Sequence, residues 1–319
     1  MNVDELLDRE VAEALAASGF DSVSYPLEPE GVAEFRANRP AVTVPIDPAS
    51  TIRIRDVTVP GPKGDPDVVV RVYSPPEGVA HRPCCYWIHG GGYIFGTIDM
   101  SDARCVQTAE TLDCVVVSVD YRLAPEFPFP APLEDCYAGL AWTAAHADGL
   151  GIDPQRIVIV GQSAGGGLAA ALALLVRDRA EVPLCYQLLI YPMIDDRNTT
   201  PSSQLVTKVW TREANLLGWR CYLGHEPGTA DVSPYAAAAR AEDLRGLAPA
   251  FIGVGTLDVF RDENIEYARR LLAAGVPTEL HVYPGAPHGF EGLAPRAAVS
   301  QQFTRDITDA LRRAMYPRW

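Results

Sequence analysis

Lysine is almost absent from this sequence. Of its 27 basic residues only Lys63 and Lys208 are lysines, and the arginines are scattered rather than clustered. The 41 acidic residues bring the formal net charge to −14. Proteins that bind nucleic acids normally present a basic face to the phosphates, so we expect no nucleic-acid partner.

Long apolar runs are also missing. The longest strictly apolar run covers residues 168–176, whereas a membrane-spanning helix needs about 20 such residues. The N-terminal segment, MNVDELLDREVAEAL, is acidic and lacks the basic and apolar regions of a signal peptide. These features predict a cytoplasmic protein without a membrane partner.

The cysteines show no pattern typical of a metal site or a disulfide framework. There are seven, an odd number, with no CxxC pair. Reduced, buried thiols are the usual state of such cysteines inside cells, so we expect neither a metal nor a disulfide. Cys84 and Cys85 are adjacent in a predicted strand and should therefore point to opposite faces of the sheet.

The chain alternates short β-branched runs with longer segments rich in alanine and leucine. With 319 residues, 48% of them hydrophobic, it can form one large domain of the α/β class around a mostly parallel sheet. The predicted strands are 51–59, 67–74, 84–88, 114–119, 156–160, 186–191, 250–254 and 279–283. The predicted helices lie near 101–112, 133–147, 165–178, 262–274 and 298–314. Segments 1–48 and 195–235 break the alternation, and we interpret both as additions over one face of the sheet.

The strongest local signal is Gly-Gln-Ser-Ala-Gly at 161–165. A buried strand precedes it and an apolar helix follows it, which is the context in which G-x-S-x-G carries a nucleophilic serine. Glycines allow a tight turn that exposes Oγ of Ser163, and the N-terminus of the next helix favours a developing negative charge. A structural glycine-rich turn with an ordinary serine is the alternative.

A second glycine-rich loop, His-Gly-Gly-Gly at 89–92, follows another buried strand. It lacks the sequence features of a phosphate-binding loop. Its backbone N–H groups are suited to an oxyanion hole, in which we expect the amides of Gly91 and Gly92 to act with that of Ala164. His89 is interpreted as a structural anchor of the loop rather than a proton carrier.

A reactive serine also needs a base and an acid that orients the base. His288 lies in a Gly- and Pro-containing loop after a strand, where open α/β sheets bind ligands. Asp258 follows the strand 250–254 at the same predicted edge and is the expected acid. Asp262 is the alternative, which we interpret instead as the N-cap of the next helix. The chain order of serine, aspartate and histidine is that of an α/β-hydrolase.

These motifs, together with Tyr-Arg-Leu-Ala-Pro-Glu at 121–126, resemble the hormone-sensitive-lipase-like (bacterial family IV) esterases. The resemblance covers about residues 50–292 and implies an α/β-hydrolase sheet of about eight strands. It also implies a small helical cap formed by about 1–48 and 195–235 on a single domain, 1–319. Gln162 departs from the family, which commonly has Asp or Thr there, and the acid motif lacks the usual proline after Asp258. Arg122 and Glu126 are expected to make buried ion pairs that support the glycine-rich loop and the serine turn.

The resulting hypothesis is a serine carboxylesterase acting on short- to medium-chain acyl esters without a cofactor. The same triad could serve an amidase or arylformamidase, and the same fold could be a non-catalytic small-molecule binding protein. Tyr93, Trp210 and Trp219 are expected to line the substrate pocket, although ordinary packing would explain them equally well. The resemblance further implies a homodimer as one arrangement of the chain.

Overall fold

A central sheet of eight strands organises the chain. The computed structural model describes residues 3–18, 24–38, 43–76 and 81–317. The strands are β1 (Arg53–Val59), β2 (Val68–Ser74), β3 (Arg82–Ile88), β4 (Val115–Asp120), β5 (Ile152–Gln162), β6 (Tyr186–Ile190), β7 (Ala250–Leu257) and β8 (Thr278–Pro287). The helices are α1 (Arg9–Ser18), α2 (Val32–Ala37), α3 (Asp102–Leu112), α4 (Ala131–Ala145), α5 (Ala147–Leu150), α6 (Ala164–Arg179), α7 (Arg212–Leu223), α8 (Arg261–Ala273), α9 (Phe290–Leu293) and α10 (Ala298–Met315). All the predicted strands are present, which confirms the α/β class.

The strands lie in the order β1-β2-β4-β3-β5-β6-β7-β8. β2 runs antiparallel to both of its neighbours, β1 and β4, and the strands from β3 to β8 run parallel to one another. In this register Gly161 of β5 lies between Ile88 of β3 and Leu189 of β6. The carboxyl ends of the central strands therefore coincide, which brings the loops that follow them together.

Two hydrophobic layers cover the sheet. One layer joins α4, α6 and α8 to one face, and the other joins α3 and α10 to the opposite face. Cys84 belongs to the first layer and Cys85 to the second, as expected for neighbours in a strand. All seven cysteines are free.

The segments that interrupt the alternation lie near the carboxyl ends of the strands. α1 packs on α9, and the amide of Asp8 donates to the carbonyl of Gly285 at 2.9 Å, near the carboxyl end of β8. Further along, Tyr25 and Phe35 form an aromatic cluster with Trp210, from the second segment. Assignment of 1–48 and 195–235 as one cap stays a prediction, since residues 1–2, 19–23 and 39–42 lie outside the described chain.

Arg122 and Glu126 each form an ion pair, but only the pair of Arg122 is buried as predicted, because the Glu126 side chain is 44% exposed. Arg122 donates to both carboxylate oxygens of Asp135, at 2.8 Å from Nε and 2.8 Å from Nη2. Glu126 pairs with Arg36 at 2.9 Å, and the Arg36 guanidinium also donates to the carbonyls of Ile94 and Ala124. The Arg36 guanidinium therefore ties the N-terminal segment to the loops after β3 and β4.

Replacing Asp135 with alanine should destabilise the fold. The Asp135 side chain is 1% exposed, and its loss leaves Arg122 without its main partner, which typically costs about 3 kcal/mol. Urea denaturation measures the change in the free energy of unfolding. Asp243→Ala is the matched control, because its pair with Arg245 is exposed to solvent and should contribute little to stability. Equal effects of the two substitutions would contradict the buried role of Asp135.

Candidate active site

Ser163 occupies a strained turn between β5 and α6. Its φ of 56° and ψ of −120° are unusual for a residue with a side chain. The Ser163 amide donates to the carbonyl of Ile190 at 2.9 Å, and its carbonyl accepts from the amides of Gly167 and Met193, each at 3.0 Å. These three bonds hold the conformation that presents Oγ above the sheet edge.

The structure brings Ser163, Asp258 and His288 together. Nε2 of His288 lies 2.9 Å from Oγ of Ser163, and Nδ1 of His288 lies 2.7 Å from Oδ2 of Asp258. Asp258 is fully buried, and its Oδ1 accepts from the amide of Phe260 at 3.0 Å. The carboxylate is thereby fixed, and it can hold the imidazole in the tautomer whose free Nε2 accepts a proton.

Asp262, the alternative acid, serves another purpose. It lies within the first turn of α8, and its Oδ2 accepts from the amide of Ser202 at 2.7 Å. The expected N-cap role for Asp262 was wrong, because the N-cap is Phe260 and makes no side-chain capping bond. Asp262 instead joins α8 to the segment that follows β6.

The loop after β3 has the shape expected of an oxyanion hole. Gly91 and Gly92 have φ of +128° and +61°, a region that favours glycine. A Cβ on Gly91 would lie 1.8 Å from the carbonyl oxygen of Phe95. Within the described chain, the amides of Gly91, Gly92 and Ala164 donate to no backbone carbonyl. Their role as an oxyanion hole stays a prediction.

His89 is buried beneath this loop. Its ring stacks on Tyr121 with centroids 4.3 Å apart, and Tyr121 donates to the His89 carbonyl at 2.9 Å. Burial lowers the pKa of His89 to about 4, so the ring is neutral at physiological pH. This environment agrees with the interpretation of His89 as an anchor.

The three aromatic residues expected at the pocket differ in their surroundings. Tyr93 and Trp219 are fully buried; Tyr93 lies against Trp219 with centroids 5.2 Å apart and donates to the carbonyl of Met193 at 2.7 Å. Both rings are therefore packed in the protein interior, next to the glycine-rich loop. Trp210 lies directly over Gly92, where a Cβ would come within 2.2 Å of the indole. Contact of any of the three with substrate stays a prediction.

Two residues beside His288 were not foreseen. Tyr191 approaches the imidazole edge-on with ring centroids 4.6 Å apart, and Phe260 does so from another direction at 5.2 Å. The sequence signal was available for Tyr191, since it directly follows β6 at the edge that carries the site. No sequence signal identified Phe260, which lies in the turn between Asp258 and Asp262.

The described residues provide neither a metal-binding cluster nor a helix that could span a membrane. Those residues contain no group of three or more His, Cys, Asp or Glu side chains arranged to hold a metal ion. Among the described helices, none combines the length and apolar character needed to cross a membrane.

Comparison with known proteins agrees with this geometry. A family model for the alpha/beta hydrolase fold matches residues 85–292. The chain belongs to this family, in its hormone-sensitive-lipase-like branch. It is 38% identical over 269 residues to Esterase LipI of Mycobacterium tuberculosis, covering 82% of each chain. It is 37% identical over 303 residues to Carboxylesterase NlhH of the same species, covering 90% of this chain and 91% of the relative.

A solved structure extends the likeness to nearly the whole hydrolase chain. It is titled Bacterial Heroin Esterase and superposes with a TM-score of 0.91 at 43% identity, covering 98% of this chain and 99% of that one. The likeness therefore includes the segments before β1 and after β6 as well as the sheet.

Gly92→Ala should abolish most turnover while the protein stays folded. The added methyl group must displace either Trp210 or the loop, which moves the oxyanion donors, and loss of one such donor typically lowers kcat by about 10²- to 10³-fold. Steady-state hydrolysis of p-nitrophenyl acetate measures the loss. Gly64→Ala is the control, because Gly64 also has positive φ (+94°) but has nothing within 4 Å of a new Cβ. Full activity of Gly92→Ala would contradict the assignment of the loop.

Proposed function

We propose that this chain is a serine carboxylesterase that hydrolyses short- to medium-chain acyl esters. The observation that carries the proposal is the continuous hydrogen-bonded line from Asp258 through His288 to Ser163, with heavy-atom distances of 2.7 and 2.9 Å. A serine becomes nucleophilic when an oriented base lies within hydrogen-bond distance. The esterase names of the similar proteins support a carboxylic ester as the bond that is cleaved.

In the first step Oγ of Ser163 attacks the carbonyl carbon while Nε2 of His288 takes the hydroxyl proton. Asp258 stabilises the imidazolium that forms. Negative charge on the carbonyl oxygen is bound by the amides of Gly91, Gly92 and Ala164, a contribution of about 3 kcal/mol per donor.

In the second step His288 gives its proton to the leaving alkoxide as the ester C–O bond breaks, which leaves an acyl group on Ser163. Water then attacks the acyl carbon while His288 again acts as base. The second tetrahedral intermediate collapses to the carboxylic acid and returns the proton to Oγ. Every proton in this cycle is carried by residues of this chain, and the proposed mechanism uses no cofactor.

We further propose that the protein is cytoplasmic and forms a homodimer through β8. The support for the dimer is positional: β8 is an edge strand, bordered within the sheet by β7 alone, and edge strands can pair with another chain. The solution mass from light scattering tests this arrangement, and a monomer at every concentration would disprove it.

Ser163→Ala should remove nearly all hydrolysis of p-nitrophenyl acetate. Loss of a catalytic serine typically lowers kcat by about 10⁶-fold, since the base and acid have no other nucleophile to activate. Labelling by a fluorophosphonate should disappear as well. Unchanged turnover would overturn the proposal, and a wild-type chain that neither turns over nor labels would favour a binding protein.

A panel of substrates should separate the esterase from an amidase with the same triad. We expect turnover to be fastest with esters from acetate to about hexanoate, to fall towards decanoate, and to be slower with anilides than with matched esters. The physical reason is that an alkoxide or phenoxide leaves more readily than an anilide. The measurement is kcat/KM for each substrate, and higher values for the anilides would favour the amidase.

A further inference from the structure

A polar cluster outside the triad lies directly beside His288, and its members are buried or partly buried. It consists of Gln162, the last residue of β5, Tyr191, which directly follows β6, and Glu291, which lies shortly after β8. The hydroxyl of Tyr191 donates to Oε1 of Glu291 at 2.5 Å. Nε2 of Gln162 donates to the Tyr191 hydroxyl and, at 3.2 Å, to the same Oε1 of Glu291. The three side chains therefore form a closed hydrogen-bonded triangle.

The triangle joins the two loops that carry the reacting groups. Gln162 immediately precedes Ser163, and Glu291 lies three residues after His288. The ring of Tyr191 contacts the His288 imidazole itself, with centroids 4.6 Å apart at 63°. One side chain thus touches the proposed base and is bonded to both loops.

The hydrogen-bond donors of Gln162 and Tyr191 match the acceptor of Glu291. Glu291 is 8% exposed, and its Oε1 accepts two bonds while its Oε2 is buried and has no partner among the described residues. Burial, reinforced by the nearby Glu291, raises the pKa of Tyr191 well above its ordinary value, so the hydroxyl stays a donor. A carboxylate at position 162 would place two anions side by side in this largely buried site. The amide of Gln162 instead supplies a hydrogen-bond donor to Glu291.

The backbone of Tyr191 is fixed independently of these bonds. Its φ of 33° is in the left-handed region, and its amide donates to the carbonyl of Gly253 at 2.7 Å. The ring also stacks on Phe303 of α10, with centroids 6.0 Å apart. A side chain held this firmly can restrict the movement of the imidazole that it contacts.

We propose that Gln162, Tyr191 and Glu291 form a positioning unit that fixes the His288 imidazole relative to Ser163, and that the unit requires one amide and one carboxylate around the tyrosine hydroxyl. This inference rests on the proposed function, because it assigns His288 as the base. Its expected signature is a loss of kcat with little change in KM, since the unit acts on the base rather than on bound substrate.

A charge exchange tests the unit. Gln162→Glu should lower kcat for p-nitrophenyl acetate by at least about 10-fold with KM within about twofold, since the new carboxylate faces Glu291. The double variant Gln162→Glu with Glu291→Gln restores one carboxylate and one amide, and its kcat should return to within about threefold of the wild type. Active sites are counted with a fluorophosphonate, so that kcat refers to folded protein.

Gln187→Glu is the matched control. Gln187 lies on β6, is fully buried and donates to the carbonyl of Ala248 at 2.9 Å, towards the opposite end of the strand. This variant also buries a new carboxylate, so it reports the general effect on stability. We expect its kcat per active site to equal that of the wild type.

Each result of these measurements either supports or contradicts the positioning unit. A Gln162→Glu enzyme with wild-type kcat, or a double variant no better than the worse single one, would overturn the proposal. If Gln162→Glu does not fold, Tyr191→Phe is the deciding variant, because it keeps the ring contact with His288 and adds no charge. A kcat of Tyr191→Phe within twofold of the wild type would then refute the unit. Failure of the esterase assignment itself is distinguishable, since it would show as full activity of Ser163→Ala.

Discussion

The strained turn at Ser163 is the constraint on which the site depends. A positive φ at a residue with a side chain costs about 1–3 kcal/mol, and it persists only where the surroundings fix it more than once. Here the Ser163 amide is bonded to Ile190 and its carbonyl to two further amides, one in α6 and one beyond β6. A relaxed turn would change the direction of the Cα–Cβ bond and so disturb the 2.9 Å contact between Oγ and Nε2 of His288. The fold therefore keeps backbone strain at the residue that carries the proposed nucleophile.

The parallel register of the strands brings Asp258 and His288 close to the turn at Ser163. Because β5, β6 and β7 end at the same edge, the residues that follow them are neighbours without long loops. The serine, the aspartate and the histidine are separated by 95 and 30 residues in the sequence, yet each lies within a few residues of a strand end. Short connections to a buried sheet leave these side chains little freedom, which keeps their hydrogen bonds aligned.

Much of this arrangement could be predicted from local patterns. Strands, their directions, and the positions of Ser163 and His288 follow from apolar runs and from the motifs at their ends. Contacts between distant polar residues could not, because nothing in the spacing indicates that Arg36 would reach Glu126, 90 residues away. The capping role expected for Asp262 failed for a related reason: Ser202 competes for its carboxylate, and tertiary contacts override a local preference.

Two histidines lie at the same sheet edge, and the surroundings of only one of them suit a base. In His89, Nδ1 donates to the carbonyl of Gly90 at 2.8 Å, while Nε2 is buried without a partner among the described residues. A second proton on Nε2 would therefore place a charge and an unsatisfied donor in an apolar site. In His288, Nδ1 faces the carboxylate of Asp258 and Nε2 faces the hydroxyl of Ser163. A proton gained there has an anion on one side and an oxygen to bond on the other, so the environment, rather than the residue type, assigns the chemistry.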